Sequence, residues 1–457
     1  MTYRELLAAN ANFRRLWSGQ VVSEIGDWLN NIAVLALTLE LAGATHQGRA
    51  IAIYAIARHL PLFLFGPVAG VVVDRTDRRR VMIVADVVRA ALAVGFLLAQ
   101  KFSSLTLVYA VGASLFAVSA FFNAAKRAAI PVIATEADEL LSANSLSAST
   151  TAATIATGSA LGGLVATFVG RNVVFFLNAA TFLASALLIR RIRLPAKSLT
   201  EAQRRGDTTT PVTEASATVV VPSLTTTSRS RIASGVRRAF TEFREGLRYV
   251  RRDGVLAAVF IVAAGWGLGN GAARALYSVF GARLGELGAT AWVARPRDFG
   301  ISVLFVAMGL GGVLGAPVAR RFNAARNDLG ARMGRSMMLD GGGLALFSLM
   351  PNLWTASLVL IAREMNFAIW WTAQQTLIMR RTDNAYAGRV FASYETLTTL
   401  MMVSSMYAAG AAADAYGIRR VAAAGGLTIA FSGLLWFLLR RRSRDAAAVT
   451  DVPKLSI

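Results

Sequence analysis

Cysteine is absent from the sequence, which excludes disulfides and thiolate metal sites. Histidine is almost absent: His46 and His59 are too few for a histidine-built metal cluster, so neither a metal nor a cofactor is expected. Lysine occurs four times, as Lys101, Lys126, Lys197 and Lys454, and none follows the glycine that a Walker-type phosphate loop needs. ATP bound by this chain is therefore not expected as an energy source. Charge is scarce as well, at 16% of 457 residues, where a soluble domain has about a quarter. No nucleophile–base set stands out, so an enzyme is not expected. What the chain holds instead is apolar residues, 55% of the total, and an excess of base that gives a net charge of +22.

Basic clusters can mark nucleic-acid binding, but here long apolar runs separate them. A helix crossing the hydrocarbon core needs about 20 mostly apolar residues. Twelve such runs lie near 16–42, 50–73, 81–100, 104–125, 144–169, 172–190, 255–282, 299–319, 333–350, 353–379, 390–413 and 418–439. With both termini cytoplasmic, the inside segments hold 36 of the 48 lysines and arginines, as short cytoplasmic loops do. Membrane topology thus accounts for the positive charge without nucleic acid. The first run carries Glu24 and Asp27 and is too long for a cleaved signal peptide, so it stays in the chain.

Residues 192–235 break the pattern with a Thr-, Ser- and Arg-rich stretch that buries little apolar surface and reads as a flexible cytoplasmic linker. After it, 236–252 places Val236, Ala239, Phe240, Phe243, Leu247 and Val250 on one helical face among arginines, an amphipathic helix suited to the membrane interface or, less readily, to a protein partner. The runs divide six and six, giving bundles over 1–191 and 253–441 and a tail over 442–457. "GSALGGLVATFVGRN" (158–172) and "AAGAAADAYGIRR" (408–420) echo each other at the ends of the fifth and eleventh runs. Repeated six-helix halves mark one large class of transporters.

The stretch "GPVAGVVVDRTDRRR" (66–80) sharpens this. Gly70, Asp74, Arg75, Arg78 and Arg79 match the spacing of a motif between the second and third helices of the major facilitator superfamily. With "SEIGDW", "NAAKRAAIP", "LLSANSL" and "FFLNAATFLASALL", the chain resembles the branch holding enterobactin exporters and macrolide-efflux proteins. A short turn that sets a carboxylate beside guanidiniums can lock helices in one state and release them in another. Asp77 departs from the family's glycine and either adds a charge to that latch or caps the turn. Asp86 and Arg89, an i, i+3 pair, are expected near the cytoplasmic end in support of the gate. Gly158, Gly162 and Gly163 keep the close-packing glycines of the fifth helix, although the family's proline is missing. The fourth run also lacks the arginine found in many proton antiporters of the family.

Charges within membrane spans are costly and mark functional candidates. Glu24 and Asp27 share one helix face near mid-span, with Arg58 at comparable depth, and a cluster of the three is expected. A carboxylate there can carry a coupling proton or form a static ion pair. Arg363-Glu364 lies mid-span, and Asp340 has no evident partner. The resemblance implies a cavity lined by the first, fourth, seventh and tenth spans, which offer Asn30, Asn123, Trp266, Asn270, Arg274, Tyr277, Glu364, Trp370, Trp371 and Gln374. Aromatic surface with sparse polar groups suits an amphipathic ligand. Trp354 reads as an interface anchor, and His59 as packed beside Pro61.

The expectation is an all-α, twelve-span secondary transporter of the plasma membrane, monomeric and in contact with lipid. It rocks two bundles to export a hydrophobic or amphipathic small molecule against protons. Movement of a lysophospholipid by the same fold is the alternative, and a membrane scaffold or sensor a more distant one.

Overall fold

The computed structural model describes residues 1–193, 241, 243–288, 293–324 and 328–450. Among them are thirteen α-helices and one π-helical turn, besides a helical stretch over 243–250. A short α1 (Tyr3–Ala9) precedes α2 (Ala11–Ala42), α3 (Gln47–Arg75), α4 (Arg78–Lys101), α5 (Leu105–Ile133) and α6 (Ala137–Leu164). The π turn (Val165–Val169) joins α6 to α7 (Arg171–Arg190). Then come α8 (Gly254–Leu287), α9 (Pro296–Ala324), α10 (Leu329–Leu349), α11 (Leu353–Arg381), α12 (Asn384–Tyr416) and α13 (Ile418–Thr450).

Several helices outrun the apolar stretches that announced them. α2 begins at Ala11 rather than 16, α6 at Ala137 rather than 144, and α13 continues into the tail expected from 442. Caps, not hydropathy, set many of these ends. Asn10, Asp77, Ser104, Asp253 and Asn352 each accept hydrogen bonds from first-turn N–H groups, satisfying donors that a helix start leaves open. Gly170 (φ 126°) and Gly417 (φ 89°) turn the chain into α7 and α13 at the two echoed segments, a backbone region that glycine enters without steric cost.

Among the described residues, nine helices are long and apolar enough to cross a membrane. The expected count was twelve; α10, α11 and α12 are outside the nine because they are more polar. α10 carries Arg332, Arg335 and Asp340, α11 carries Arg363, Glu364 and Asn366, and α12 is rich in Ser, Thr and Ala. The outer surface is apolar: Leu64, Val84, Phe176, Leu187, Leu339, Leu358, Leu427 and Phe431 are each more than half exposed. Such a surface suits hydrocarbon surroundings rather than water. Trp354 is exposed at the start of α11.

α2 packs on α6 and α7, while α3–α5, α4–α5 and α4–α7 contacts complete one group of helices. α8 packs on α9, α12 and α13, and α9–α11, α10–α11 and α10–α13 contacts complete the other. Close approach depends on small residues. A Cβ at Gly158 would lie 2.7 Å from the Ile25 carbonyl oxygen, and one at Gly162 2.6 Å from that of Leu29, so both glycines let α6 rest on the α2 backbone. Gly163 instead abuts the Ser302 side chain of α9.

The groups meet along α6–α9 and α3–α12, and this seam is wedge-shaped. α3 is mostly buried over 47–55 and largely exposed or half-buried beyond Pro61. α9 is mostly buried over 298–309 and largely exposed over 310–322. The halves are therefore pressed together at the end away from the chain termini and splayed at the other.

The linker beyond residue 193 and the first part of the amphipathic segment lie outside the described residues. Residues 243–250 are helical and dock on the start of α12. Ser393 Oγ donates to the Phe243 carbonyl at 3.0 Å, Tyr249 stacks on Tyr386 at 4.7 Å, and Glu245 pairs with Arg389 at 3.4 Å. Val250 is buried and Leu247 packs against the core, so the apolar face covers protein here.

Candidate functional site

The α3–α4 turn displays Asp74 and Arg75 on the surface. Asp77 is the N-cap of α4: its carboxylate accepts from the Arg79 N–H at 2.8 Å and the Arg80 N–H at 3.4 Å. Arg79 reaches the end of α7, donating to the Ile192 and Arg190 carbonyls at 3.0 and 3.4 Å. Arg78 is half-buried. A Cβ at Gly70 would meet nothing within 4 Å, so no neighbour in this conformation demands glycine there.

The charges inside the first group pair differently from their expected arrangement. Arg58 makes no ion-pair contact with Glu24 or Asp27, although its charge acts on Asp27. Its guanidinium donates to Asn31 Oδ1 and lies over the rings of Trp28 and Phe116 at 4.9 and 5.0 Å. Asp86 and Arg89 do not lie at the helix end where they were expected. Because α4 starts at Arg78, Arg89 stands halfway along its 24 residues. There it pairs with Asp86 and lies between the rings of Phe122 and Phe182, at 4.1 and 4.4 Å. Its Nη1 also approaches Asp27 Oδ2 at 3.8 Å.

Glu24 is fully engaged. It accepts from Lys126 at 3.3 Å, Gln20 at 2.9 Å and Thr154 at 3.1 Å. Asp27 has the long approach to Arg89 and a side chain still 27% exposed. Glu24, Asp27, Arg89, Ser119, Asn123 and Lys126 line a polar cavity of about 90 Å³. Asn30, one turn along α2, is buried outside that lining.

The second group holds another centre. Arg363 Nη2 donates to Asp340 Oδ2 at 3.2 Å and to Asn270 Oδ1 at 3.3 Å. Its Nη1 reaches the Tyr277 hydroxyl at 2.5 Å and Glu364 Oε1 at 2.9 Å. Asp340 thus gains the partner its own helix did not supply. Several expected cavity residues are instead packed into the core. Trp266, Asn270, Tyr277, Trp370 and Gln374 are buried, because the faces carrying them turn inward on their own group. Trp266, Phe367, Trp370 and Trp371 form a ring cluster, with centroids 5.1 Å apart for Trp266–Trp370 and 5.3 Å for Phe367–Trp370. Tyr394 donates to Gln374 Oε1 at 2.8 Å. Arg274 is exposed and lies close enough to Arg58, across the seam, for the two charges to repel.

A further set of contacts joins the halves at the end away from the termini. Arg171 grips Asp298 twice, Nε to Oδ2 at 3.1 Å and Nη2 to Oδ1 at 2.9 Å, and also bonds Glu40. Arg295 donates to the Ala166 and Thr167 carbonyls, both at 3.1 Å, within the π turn, where the α-helical bonding pattern is interrupted. Asp414 accepts from the Gly48 and Arg49 N–H groups at 2.8 and 3.0 Å, a carboxylate on the open donors of a helix start. Deeper, Ser302 donates to the Ser159 carbonyl at 2.8 Å. Sequence reasoning missed Lys126, Asn31, Asp298 and Asp414 as partners. Arg171 and Arg295 were not singled out either, and their one signal is a position at short turns between long helices.

The family model for the Major Facilitator Superfamily matches residues 16–406. The "Putative bacilysin exporter BacE" of Bacillus subtilis (strain 168) is 25% identical over 405 residues, 87% of each chain. Macrolide efflux protein A of Streptococcus pyogenes is 35% identical over 79 residues, 17% of this chain and 19% of its own. Among solved structures, a bacterial homologue of the human lysosomal transporter Spinster, inward-facing and unoccupied, superposes with a TM-score of 0.64 at 12% identity, covering 94% of this chain and 97% of that one. A multi-pass membrane transporter rather than an enzyme, the chain belongs to the major facilitator superfamily.

Proposed function

We propose that this transporter exports a hydrophobic or amphipathic small molecule from the cytoplasm across the plasma membrane by alternating access, in exchange for protons. The observation that carries the coupling is Asp27: a carboxylate lining a polar cavity midway along α2, held by one long contact to Arg89 and still partly accessible. Glu24 is held by three donors, one of them the Lys126 ammonium, and is the poorer proton carrier. The wedge-shaped seam supports alternation, since one end is latched while the other is splayed.

Twelve crossings with cytoplasmic termini suit the distribution of lysine and arginine, 36 of 48 on the side of the termini. In that orientation the latched end is external and the cavity opens inward. The turn bearing Gly70, Asp74, Arg75, Arg78 and Arg79 then forms the gate that must close for the outward state. Efflux by the bacilysin-exporter and macrolide-efflux relatives supports the direction of transport.

The test is a substrate panel in proteoliposomes under an imposed pH gradient, comparing amphipathic drug-like cations with a labelled lysophospholipid. Accumulation of the cations that collapses with a protonophore is the expected result. Movement of the lipid alone would contradict export of a drug-like molecule.

A further inference from the structure

Each half of the protein contains one buried arginine serving two carboxylates. In the first half, Arg89 serves Asp86 and Asp27. In the second, Arg363 serves Asp340 and Glu364, at 3.2 and 2.9 Å. The aspartates occupy corresponding helices, α4 and α10, each the third of its half when α2 and α8 are counted first. Three residues beyond Asp86 stands Arg89; three beyond Asp340 stands Gly343. The Arg363 side chain, arriving from α11, passes over that glycine, with its Cβ and Cγ 3.5 Å from where a Gly343 Cβ would be. The guanidinium comes from another helix yet lies over the corresponding position.

Charge decides what the second centre requires. Two ionised carboxylates on one guanidinium leave a surplus negative charge, and an uncompensated charge out of water is costly. Asp340 is fully buried, with the uncharged Trp266 indole N–H of α8 as a further neighbouring donor. Glu364 is 15% exposed. From α8 the facing groups are Tyr277 and Asn270, with Arg274 acting on Tyr277. α9 brings Gly311 against Glu364, and α13 brings Gly426 and Ala430 against Gly341. These small residues supply no countercharge.

Resting on the proton-coupled reading above, we propose that Asp340, Glu364 and Arg363 form a second proton-binding centre, in which the two carboxylates share one proton. Proton binding makes the cluster neutral: one carboxylic acid, one carboxylate and one guanidinium. Such a proton belongs to the pair rather than to either residue. Replacing either carboxylate leaves Arg363 with a single balancing partner, so either change removes the same proton.

The experiment needs no transport. Purified protein in nanodiscs is stepped from alkaline to acid pH. Proton uptake is followed with an indicator dye, and protonated carboxyls by infrared difference spectroscopy. Asp340→Asn and Glu364→Gln are near-isosteric, and Glu364 lies toward the rim, so at least one folded variant is expected by thermal unfolding. Each folded variant should take up one proton per molecule fewer than wild type and lose a carboxyl band that persists in Asp27→Asn. Unchanged uptake and an unchanged band in both variants would overturn the proposal, as would loss of the whole signal in Asp27→Asn alone. If sodium abolished the uptake by occupying the site, that too would overturn a proton centre. Absence of substrate flux beside intact uptake would count against the export reading and leave this one standing.

Discussion

Arg171 of α7 and Asp298 of α9 form a two-pronged ion pair across the seam, at 3.1 and 2.9 Å, with Asp298 fully buried. Removing one partner of a buried pair is destabilising, here by less than a fully stranded charge would cost, since Arg171 keeps Glu40. Asp298→Asn and Arg171→Ala should therefore favour opening at this end. The absence of native cysteine permits a clean assay. In an Asn172→Cys background, either change should speed labelling by a membrane-impermeant maleimide by about tenfold or more, the effect of ~1.4 kcal/mol. Equal labelling rates would show that the pair is not a latch.

Steric change at the seam should act in the same direction. A Cβ at Gly309 of α9 would lie 2.6 Å from the Ala156 Cα. Gly309→Leu should weaken closure by about 1–3 kcal/mol, the usual penalty of overpacking. The same labelling assay checks it, and slower labelling would contradict the wedge geometry.

The α3–α4 turn separates a cap from a gate. Asp77→Ala removes the α4 N-cap and should cost about 1 kcal/mol of stability, seen as a lower midpoint of thermal unfolding, with flux within about twofold of wild type. Asp74→Asn should reduce flux at least tenfold in protein that still folds. Equal losses of flux in both variants would remove the distinction.

Glu24 and Lys126 form a pair whose side chains are 19% and 14% exposed. Glu24→Gln and Lys126→Met should each destabilise the protein, and the double variant should do so by less than their sum. A coupling energy of about 0.5–3 kcal/mol is expected for contacting residues. A double-mutant cycle on thermal unfolding measures it, and strict additivity would show that the pair contributes nothing.

Much of the architecture was legible because apolar runs, caps and basic loops are local signals. The Asp-Arg-Thr-Asp turn, the echoed Gly170 and Gly417, and the helices through Glu24 and Asp27 could all be read from neighbouring residues. Partners were less legible, since contact depends on how each helix is rotated and on where it starts. Arg89 was placed near a helix end by association with the adjacent turn, although it already stood ninth of twenty in the run 81–100; α4 (Arg78–Lys101) puts it twelfth of 24. Arg58 has the right depth for Asp27 but faces Asn31 and two rings. Asp340 looked unpartnered because its arginine comes from the next helix. The tryptophans of α11 were candidates for a cavity through the resemblance, with lipid contact as the alternative, yet Trp370 is fully buried among rings.

The most direct measurement of the central claim is substrate-driven proton flux in proteoliposomes, comparing wild type with Asp27→Asn. Wild-type vesicles should show proton movement that begins on addition of a transported amphipathic cation and moves opposite to it. In Asp27→Asn this coupled flux should fall at least tenfold while substrate binding, followed by tryptophan fluorescence, persists. Undiminished coupled flux in Asp27→Asn would contradict the assignment of Asp27 as the coupling carboxylate, and with it this mechanism.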